Sequence, residues 1–363
     1  MKIAIDVSSA AKSNPTGIAR YQVELIRAAG PQLSAADSLL LTMRLKRWIH
    51  HRQFESLFAV PGVGHPRWRI PAVDLFHAAG VASPRRTSAL KAVTIFDTVT
   101  IDATRFSSPR FAERYSRNLR RAVSDCDLIL TISNFVRDRI LSLFPALTPS
   151  RVIVTFPGAD HVGFSTELQP HDCAALERFG LSSRPFILSV GRIERRKNPE
   201  GLVKAFGRAA AARDHLLVFA GARGDSDVDE AVAAAGVADR VRFLGRVDDG
   251  ELGSLYRGAR AFAMPSHYEG FGIPLLEAMS CGTPSLGSNC TAVPEVAGEA
   301  ALLVDPTRID ALADALERLL LDRALRRELR ARGPVQAAKF NWRRCARETL
   351  DAYRFALELG PRR

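Results

Sequence analysis

The chain has no Cys-x-x-Cys pair, and its five cysteines (Cys126, Cys173, Cys281, Cys290 and Cys345) are odd in number and scattered. That spacing excludes a zinc ribbon and a regular disulfide framework, and it fits reduced thiols in a cytosolic protein. No run approaches the roughly 18 apolar residues of a membrane span, and no signal-peptide pattern opens the chain. Met1-Lys2-Ile3-Ala4-Ile5-Asp6-Val7 reads instead as a buried strand that starts a fold. A G-x-G-x-x-G fingerprint and a P-loop lysine are also missing, which removes the signature of a dinucleotide-dependent oxidoreductase. Helix-turn-helix, RNA-binding and zinc-finger patterns are lacking too, which sets nucleic acid aside as a partner.

What is present is a chain of 363 residues, long enough for two ordinary domains, with 47% hydrophobic and 25% charged residues, as in a soluble globular protein. The net charge of +12 is unevenly spread. Residues 1–160 hold 22 Lys/Arg against 12 Asp/Glu, and residues 161–363 hold 29 against 27. So basic a first half points to an anionic partner, with a membrane surface and a phosphorylated lipid as the candidates. Within it, residues 44–70 mix Arg44, Lys46, Arg47, Arg52, Arg67 and Arg69 with Trp48, Phe54, Phe58 and Trp68. That mixture suits a membrane interface or, equally, a helix with one solvated and one core face. Arg110, Arg114, Arg117 and Arg121 fall at helical spacing on one face, with Phe111, Tyr115, Leu119 and Ala122 on another.

Short strands and helices alternate along the first half. A strand at 2–7 meets a loop with Asn14-Pro15-Thr16-Gly17 and then a helix from Ile18 to Gly30, where backbone N–H groups could meet phosphate. Further strands at 73–77 and 93–96 end in His77 and Asp97, at the sheet edge where parallel folds bind ligands. Another strand runs from Asp127 to Ile132, and Ser133 is placed to cap the following helix. After a strand at 151–156, residues 161–184 turn irregular and read as an interdomain linker. A second alternation begins at Phe186, with strands at 216–220, 241–244, 260–264, 284–287 and 301–304. Two such series make two doubly wound domains.

Two stretches of the second series carry chemistry. Val190-Gly191-Arg192-Ile193-Glu194-Arg195-Arg196-Lys197-Asn198-Pro199 lies between a strand and a helix, so Arg192 and Lys197 share one loop at the ligand edge. A guanidinium and an ammonium there suit a diphosphate. The stretch from Met264 to Pro284 holds Glu269 and Glu277 around Gly270-Phe271-Gly272 and then opens a helix, with Pro274 in its first turn and Gly282 at its end. Were all the intervening residues helical, the two carboxylates would be about 12 Å apart along the axis.

Together these stretches closely resemble the E-x7-E and Gly-Arg…Lys-Asn motifs of retaining GT-B glycosyltransferases of family four, the glycosyl transferases of group 1. The resemblance is strongest from Ile187 to Pro306 and weaker from Lys2 to Asp160. It implies two Rossmann-like domains facing a cleft, with residues 1–165 binding the acceptor and 180–340 the donor. It also implies that residues 341–363 form a helix crossing back to the first domain. Arg192 and Lys197 would neutralise the leaving nucleoside diphosphate, and Glu269 would bind donor-sugar hydroxyls. Glu277 would hold the ribose, Phe271 and Gly272 would present backbone N–H groups, and Gly191 and Glu295 would line the donor side. Gly17 matches the family's first glycine loop under the diphosphate, although Ala19 stands where many members have a second glycine. Pro157-Gly158-Ala159-Asp160 resembles the Gly-Val-Asp turn. Where relatives commonly have His-Asp, this chain has Phe96-Asp97, so the acceptor side falls to His77 or Asp97.

The reaction implied is transfer of a hexose, with retention, from a nucleotide sugar to a lipid-linked or oligosaccharide acceptor. Thr16-Gly17-Ile18…Tyr21 and Asn289…Pro294-Glu295 look most like bacterial mannosyltransferases of lipopolysaccharide or exopolysaccharide assembly, which makes GDP-mannose the first donor expected. Rhamnosyl, glucosyl or N-acetylglucosaminyl donors carried on UDP or dTDP are the alternatives, and a non-catalytic scaffold that binds a nucleotide sugar is the rival class. Asp-x-Asp spacings occur at Asp125/Asp127, Asp225/Asp227 and Asp227/Asp229. The first precedes a strand and the others look like helix caps, so a metal-free route with no cofactor is expected. The expected location is cytoplasmic, or peripheral on the inner face of the cytoplasmic membrane.

Overall fold

Runs such as Ile3-Ala4-Ile5 and Phe186-Ile187-Leu188 have no polar face, as strands covered on both sides by helices require. A computed structural model describes residues 1–10, 17–43, 65–66, 72–81, 87–160 and 163–361. Asn14, Pro15 and Thr16, and all but His65 and Pro66 of the basic and aromatic stretch at 44–70, lie outside the described residues. Met1–Gly158 and Asn341–Arg363 form one compact unit, and Ala159–Phe340 forms another.

The first unit holds β1 (Lys2–Asp6), β2 (Ser38–Met43), β3 (His65–Pro66), β4 (Leu75–Ala79), β5 (Leu90–Ile95), β6 (Leu128–Thr131) and β7 (Val152–Val154). They make a seven-stranded parallel sheet in the order β3-β2-β1-β4-β5-β6-β7, with Ile5 opposite His77 across β1 and β4. The helix Asn134–Leu143 starts where Ser133 accepts from the Val136 N–H at 3.1 Å. The helix Pro109–Asp125 buries Ala112, Leu119, Ala122 and Val123, but Phe111 is 44% exposed and sits among the arginines, not in the core. The C-terminal helix Trp342–Leu359 buries Trp342, Cys345, Tyr353 and Ala356 within this unit. Its Trp342 meets Tyr21 edge-on, and its Tyr353 Oη lies 2.6 Å from His77 Nδ1.

The second unit contributes β8 (Phe186–Val190), β9 (Leu216–Ala220), β10 (Val241–Gly245), β11 (Ala261–Met264), β12 (Ser285–Ser288) and β13 (Leu302–Val304). Their parallel order is β10-β9-β8-β11-β12-β13, the doubly wound arrangement in which the winding reverses between β8 and β11. Leu202, Phe206, Leu312, Leu316 and Leu319 cover one face of this sheet.

Three elements depart from the sequence reading. Ser38–Met43 is a strand that its neighbours did not announce. Arg323–Ala337 is a helix that continues through Pro334 near its end, at the expense of the bond an N–H there would make to the preceding turn. Residues 161–184 are not a linker, because the second unit begins at Ala159 and contains the helix Asp172–Arg178. That helix is fixed by a buried pair: Asp172 accepts from Arg257 Nη2 at 2.6 Å and Nε at 2.7 Å, and from Ser254 Oγ at 2.6 Å.

Removing one member of a buried pair leaves the other charge stranded, at a cost of about 3–5 kcal/mol. Arg257→Met is therefore expected to lower the urea midpoint of the second unit strongly. The exposed pair Arg208–Asp310, 2.5 Å apart, is worth at most about 1 kcal/mol. Equal urea shifts for Arg257→Met and Arg208→Met would refute this ranking.

Candidate functional site

Where the winding of a parallel sheet reverses, the loops leaving the two adjacent strands diverge and expose polar groups at their carboxyl ends. In the second unit those loops follow β8 and β11, which pair at Ile187 and Ala261. They are the two stretches singled out above, so Lys197 and Glu269, 72 residues apart, become neighbours.

The loop after β8 is shaped by close backbone approach. Gly191 has φ +123, and a Cβ there would sit 3.0 Å from both Cε and Nζ of Lys197. Gly221, just after β9, would put a Cβ 2.0 Å from the Gly191 carbonyl oxygen, so that position admits no side chain without moving backbone. Gly191 is restricted by its positive φ and by the end of Lys197. A single 3-10 turn, Arg195–Lys197, follows, and Asn198 then takes the left-handed conformation at φ 56. Its Oδ1 accepts from the Gly201 N–H at 3.1 Å while its Nδ2 donates to the Pro306 carbonyl at 2.7 Å. This locks the turn that aims Lys197.

The loop after β11 is tied to it. The His267 N–H donates to the Arg196 carbonyl at 2.8 Å, and the Glu269 N–H donates to Thr291 Oγ1 at 3.1 Å. The Glu269 side chain, only 9% exposed, is held on both oxygens. Oε1 accepts from Lys197 Nζ at 3.0 Å and Ser266 Oγ at 2.9 Å, and Oε2 accepts from Arg196 Nη1 at 3.1 Å. Burial by itself would raise the carboxyl pKa. Lys197, then Arg196, and the hydrogen bonds from Lys197 and Ser266 outweigh it, and the value falls to about 2. The carboxylate is thus a fixed, ionised acceptor.

Glu277 belongs to the helix Ile273–Ser280, is 1% exposed, and accepts from Tyr256 Oη at 2.8 Å. Residues 269–272 precede that helix, and Gly272 has φ +106, so the 12 Å helical separation does not apply to this pair. Phe271 is buried edge-on against Phe340 at 5.6 Å. Arg192 is 66% exposed on its side chain, with Nε 4.0 Å from Glu194 Oε2. Glu295 is half-buried in the first turn of Val293–Ala297.

Gly17, His77 and Asp97 belong to the first unit. Gly17 opens the helix Gly17–Ala29. Asp97 follows β5; its Oδ1 accepts from the Val99 N–H at 3.3 Å, and its carbonyl accepts from Tyr115 Oη at 3.1 Å. Phe96 packs edge-on against Tyr21 at 5.0 Å. His77 lies wholly in the core, with Nε2 2.7 Å from Thr94 Oγ1 and Nδ1 2.6 Å from Tyr353 Oη, and burial lowers its pKa to about 3. A neutral ring with both nitrogens engaged and no exposed surface does not meet an acceptor in this structure.

Sequence reasoning missed Arg196 and Ser266. Arg196 was hidden in the run Arg195-Arg196-Lys197, of which Arg195 turns instead to Asp227 at 2.8 Å. Asp227 does take the cap position of the helix Val228–Ala234, but its side chain makes no cap hydrogen bond, and Asp229 pairs with Arg223. Asp227 thus holds the cap position without a cap hydrogen bond, and both aspartates serve as surface ion-pair partners.

Residues 177–336 match the model of the family described as "Glycosyl transferases group 1". The O-antigen chain mannosyltransferase B of Escherichia coli is 35% identical over 304 residues, spanning 80% of this chain and 78% of that one. Among solved structures, a sucrose-phosphate synthase from Thermosynechococcus elongatus superposes with a TM-score of 0.76 at 20% identity, over 99% of this chain and 100% of the other. Anabaena HepE in complex with UDP and glucose superposes with a TM-score of 0.74 at 15% identity, over 97% and 98%. At these identities the two structures establish a shared fold.

Because the folded pKa of Glu269 lies below its ordinary value of 4.5, its ionised form stabilises the fold above that value, and the contribution is lost as pH falls toward 2. The unfolding free energies of the native protein and Glu269→Gln should differ by up to about 3 kcal/mol at pH 7 and converge between pH 5 and pH 2. Parallel curves from urea melts across that range would show that Glu269 is not held in this way.

Proposed function

This chain belongs to the glycosyl transferases of group 1, and on that footing we propose that it is a retaining hexosyltransferase acting on a nucleotide sugar. The observation that supports this most is the ionised Glu269, fixed beside Lys197 and Arg196 where the second sheet reverses its winding. Departure of a nucleoside diphosphate concentrates negative charge on the leaving phosphate, and fixed cations stabilise it without reorganising. Arg192 and Lys197 supply those cations, and the start of the helix Ile273–Ser280 adds its backbone dipole. Glu269 accepts from the hydroxyls of the donor sugar. Glu277 accepts from the ribose, with Tyr256 fixing one of its oxygens. Gly191, Phe271, Gly272 and Glu295 complete the donor-binding set of the second unit. The route needs no metal, and the donor phosphate takes the proton of the attacking hydroxyl.

GDP-mannose is the proposed donor, in keeping with the E. coli relative named as an O-antigen mannosyltransferase. The acceptor is a lipid-linked or oligosaccharide glycan of the cell surface. Asp97 is the acceptor-side candidate retained, since His77 is enclosed. Loss of one well-placed donor to the developing charge costs about 10²–10³ in rate. Lys197→Ala and Glu269→Ala should therefore abolish measurable transfer while circular dichroism stays native. A thermal-shift screen of GDP-, UDP- and dTDP-sugars identifies the donor through the stabilisation that binding confers. Undiminished turnover in both variants would remove the proposal, and donor binding without transfer or hydrolysis would favour the scaffold reading.

A second proposal places the protein at an anionic membrane surface. The helix Pro109–Asp125 exposes Arg110, Arg114, Arg117, Arg120 and Arg121, with Glu113 3.7 Å from Arg117 and Phe111 open to solvent. Arginines at lipid headgroups and a wedge aromatic suit the inner face of a cytoplasmic membrane. Flotation with anionic vesicles at low salt is expected, weakened by Arg114→Glu/Arg117→Glu and by added salt. Equal flotation with neutral vesicles would sink the idea.

A further inference from the structure

Five charged side chains at the candidate site alternate in sign along one line of contacts. Arg192 Nε is 4.0 Å from Glu194 Oε2. Glu194 Oε1 accepts from Arg196 Nη2 at 2.7 Å and Nε at 3.1 Å. Arg196 Nη1 donates onward to Glu269 Oε2 at 3.1 Å and to the Tyr268 carbonyl at 2.7 Å. Glu269 Oε1 then receives Lys197 at 3.0 Å. The ends of this line are the two cations expected at the diphosphate. Its middle cation, Arg196, is engaged by a carboxylate on either side.

That difference decides which cation can leave. An ammonium on a flexible stem is a point charge that redirects by rotating a few bonds, whereas a planar guanidinium is committed by geometry. For Lys197 to meet a phosphate, it must give up part of its contact with Glu269. Arg196 cannot do the same without withdrawing from Glu194 and from Glu269, and leaving the buried Glu269 uncompensated is costly. We propose that Arg196 is a positioning residue for the transfer reaction, holding the Glu269 carboxylate in place for the donor sugar while Lys197 turns to the diphosphate. The proposal rests on the transferase reading above. Glu194 fixes the far edge of the guanidinium, and Ser266 Oγ, 2.9 Å from Oε1, steadies the oxygen that Lys197 releases. Without Arg196, the departure of Lys197 would leave a buried carboxylate with no cation. It would then take up a proton and cease to accept from sugar hydroxyls.

The test compares R196M, R196K and K197A. Calorimetry with GDP should give R196M an affinity within about twofold of the native protein, and K197A a weaker one. With GDP-mannose, kcat of R196M should fall about tenfold to a hundredfold with KM little changed, since hydrogen bonds to charged groups have that worth. Its acid limb should move to higher pH, and R196K should recover part of both. GDP affinity lost in R196M as in K197A would make Arg196 a diphosphate ligand and overturn the proposal, as would an unchanged kcat and acid limb. A second arm needs no donor: the 13C resonance of the Glu269 carboxyl, identified by its loss in E269Q, should titrate higher in R196M than in the native protein. If R196M melts early, R196K is read in this arm and should lie between the two. Identical titrations refute the role of Arg196, whereas a native protein inert toward every nucleotide sugar refutes the transferase reading instead.

Discussion

The ion pairs on Glu269 join the diverging loops that leave two adjacent strands, and the local structure of the second unit around them follows from that constraint. A carboxylate this buried is unfavourable unless cations and hydroxyls surround it. The chain meets that requirement with Lys197 and Arg196 from one loop and Ser266 from the other. Each of those side chains then needs a defined backbone. Asn198 supplies it through a left-handed turn bonded to Gly201 and Pro306, and Gly191 supplies it by omitting the Cβ that would meet Lys197. Thr291, itself at φ 57, holds the amide of Glu269 from a third loop.

Buried charge is used differently elsewhere in the same unit. Asp172 and Arg257 also meet out of water, but each satisfies the other and both serve to fix one helix. At Glu269 the cations outnumber the carboxylate, and one of them sits on a flexible stem. In the first unit, His77 is enclosed between Thr94 and Tyr353, and burial raises the Tyr353 hydroxyl well above its ordinary range. A closed set of neutral hydrogen bonds fixes geometry without offering charge.

Much of this was legible in the sequence, and the limits have physical causes. Fully apolar strands, Pro199 and Pro274 in first turns and Ser133 as a cap marked the elements of both units because each signal is local. Glu269, Lys197 and Gly191 were legible as motif residues. Arg196 was not, because three adjacent cations look alike until a 3-10 turn sends one to Asp227 and two to Glu269. His77 sits at the ligand edge of its strand by sequence position, yet its environment is set by Tyr353, 276 residues away. The helix Asp172–Arg178 was obscured in the same way, since Arg257, which fixes it, lies 85 residues on.

The C-terminal helix Trp342–Leu359 gives the chain an order of assembly on the ribosome. The second unit is a single continuous segment, Ala159–Phe340, and has all of its strands before this helix is made. The first unit, begun earlier, lacks the cover over Tyr21 and His77 until Trp342 and Tyr353 emerge. At roughly 5–20 residues per second, translating the intervening segment leaves that sheet uncovered for about 10–40 s. The half of the molecule made first is thus completed last.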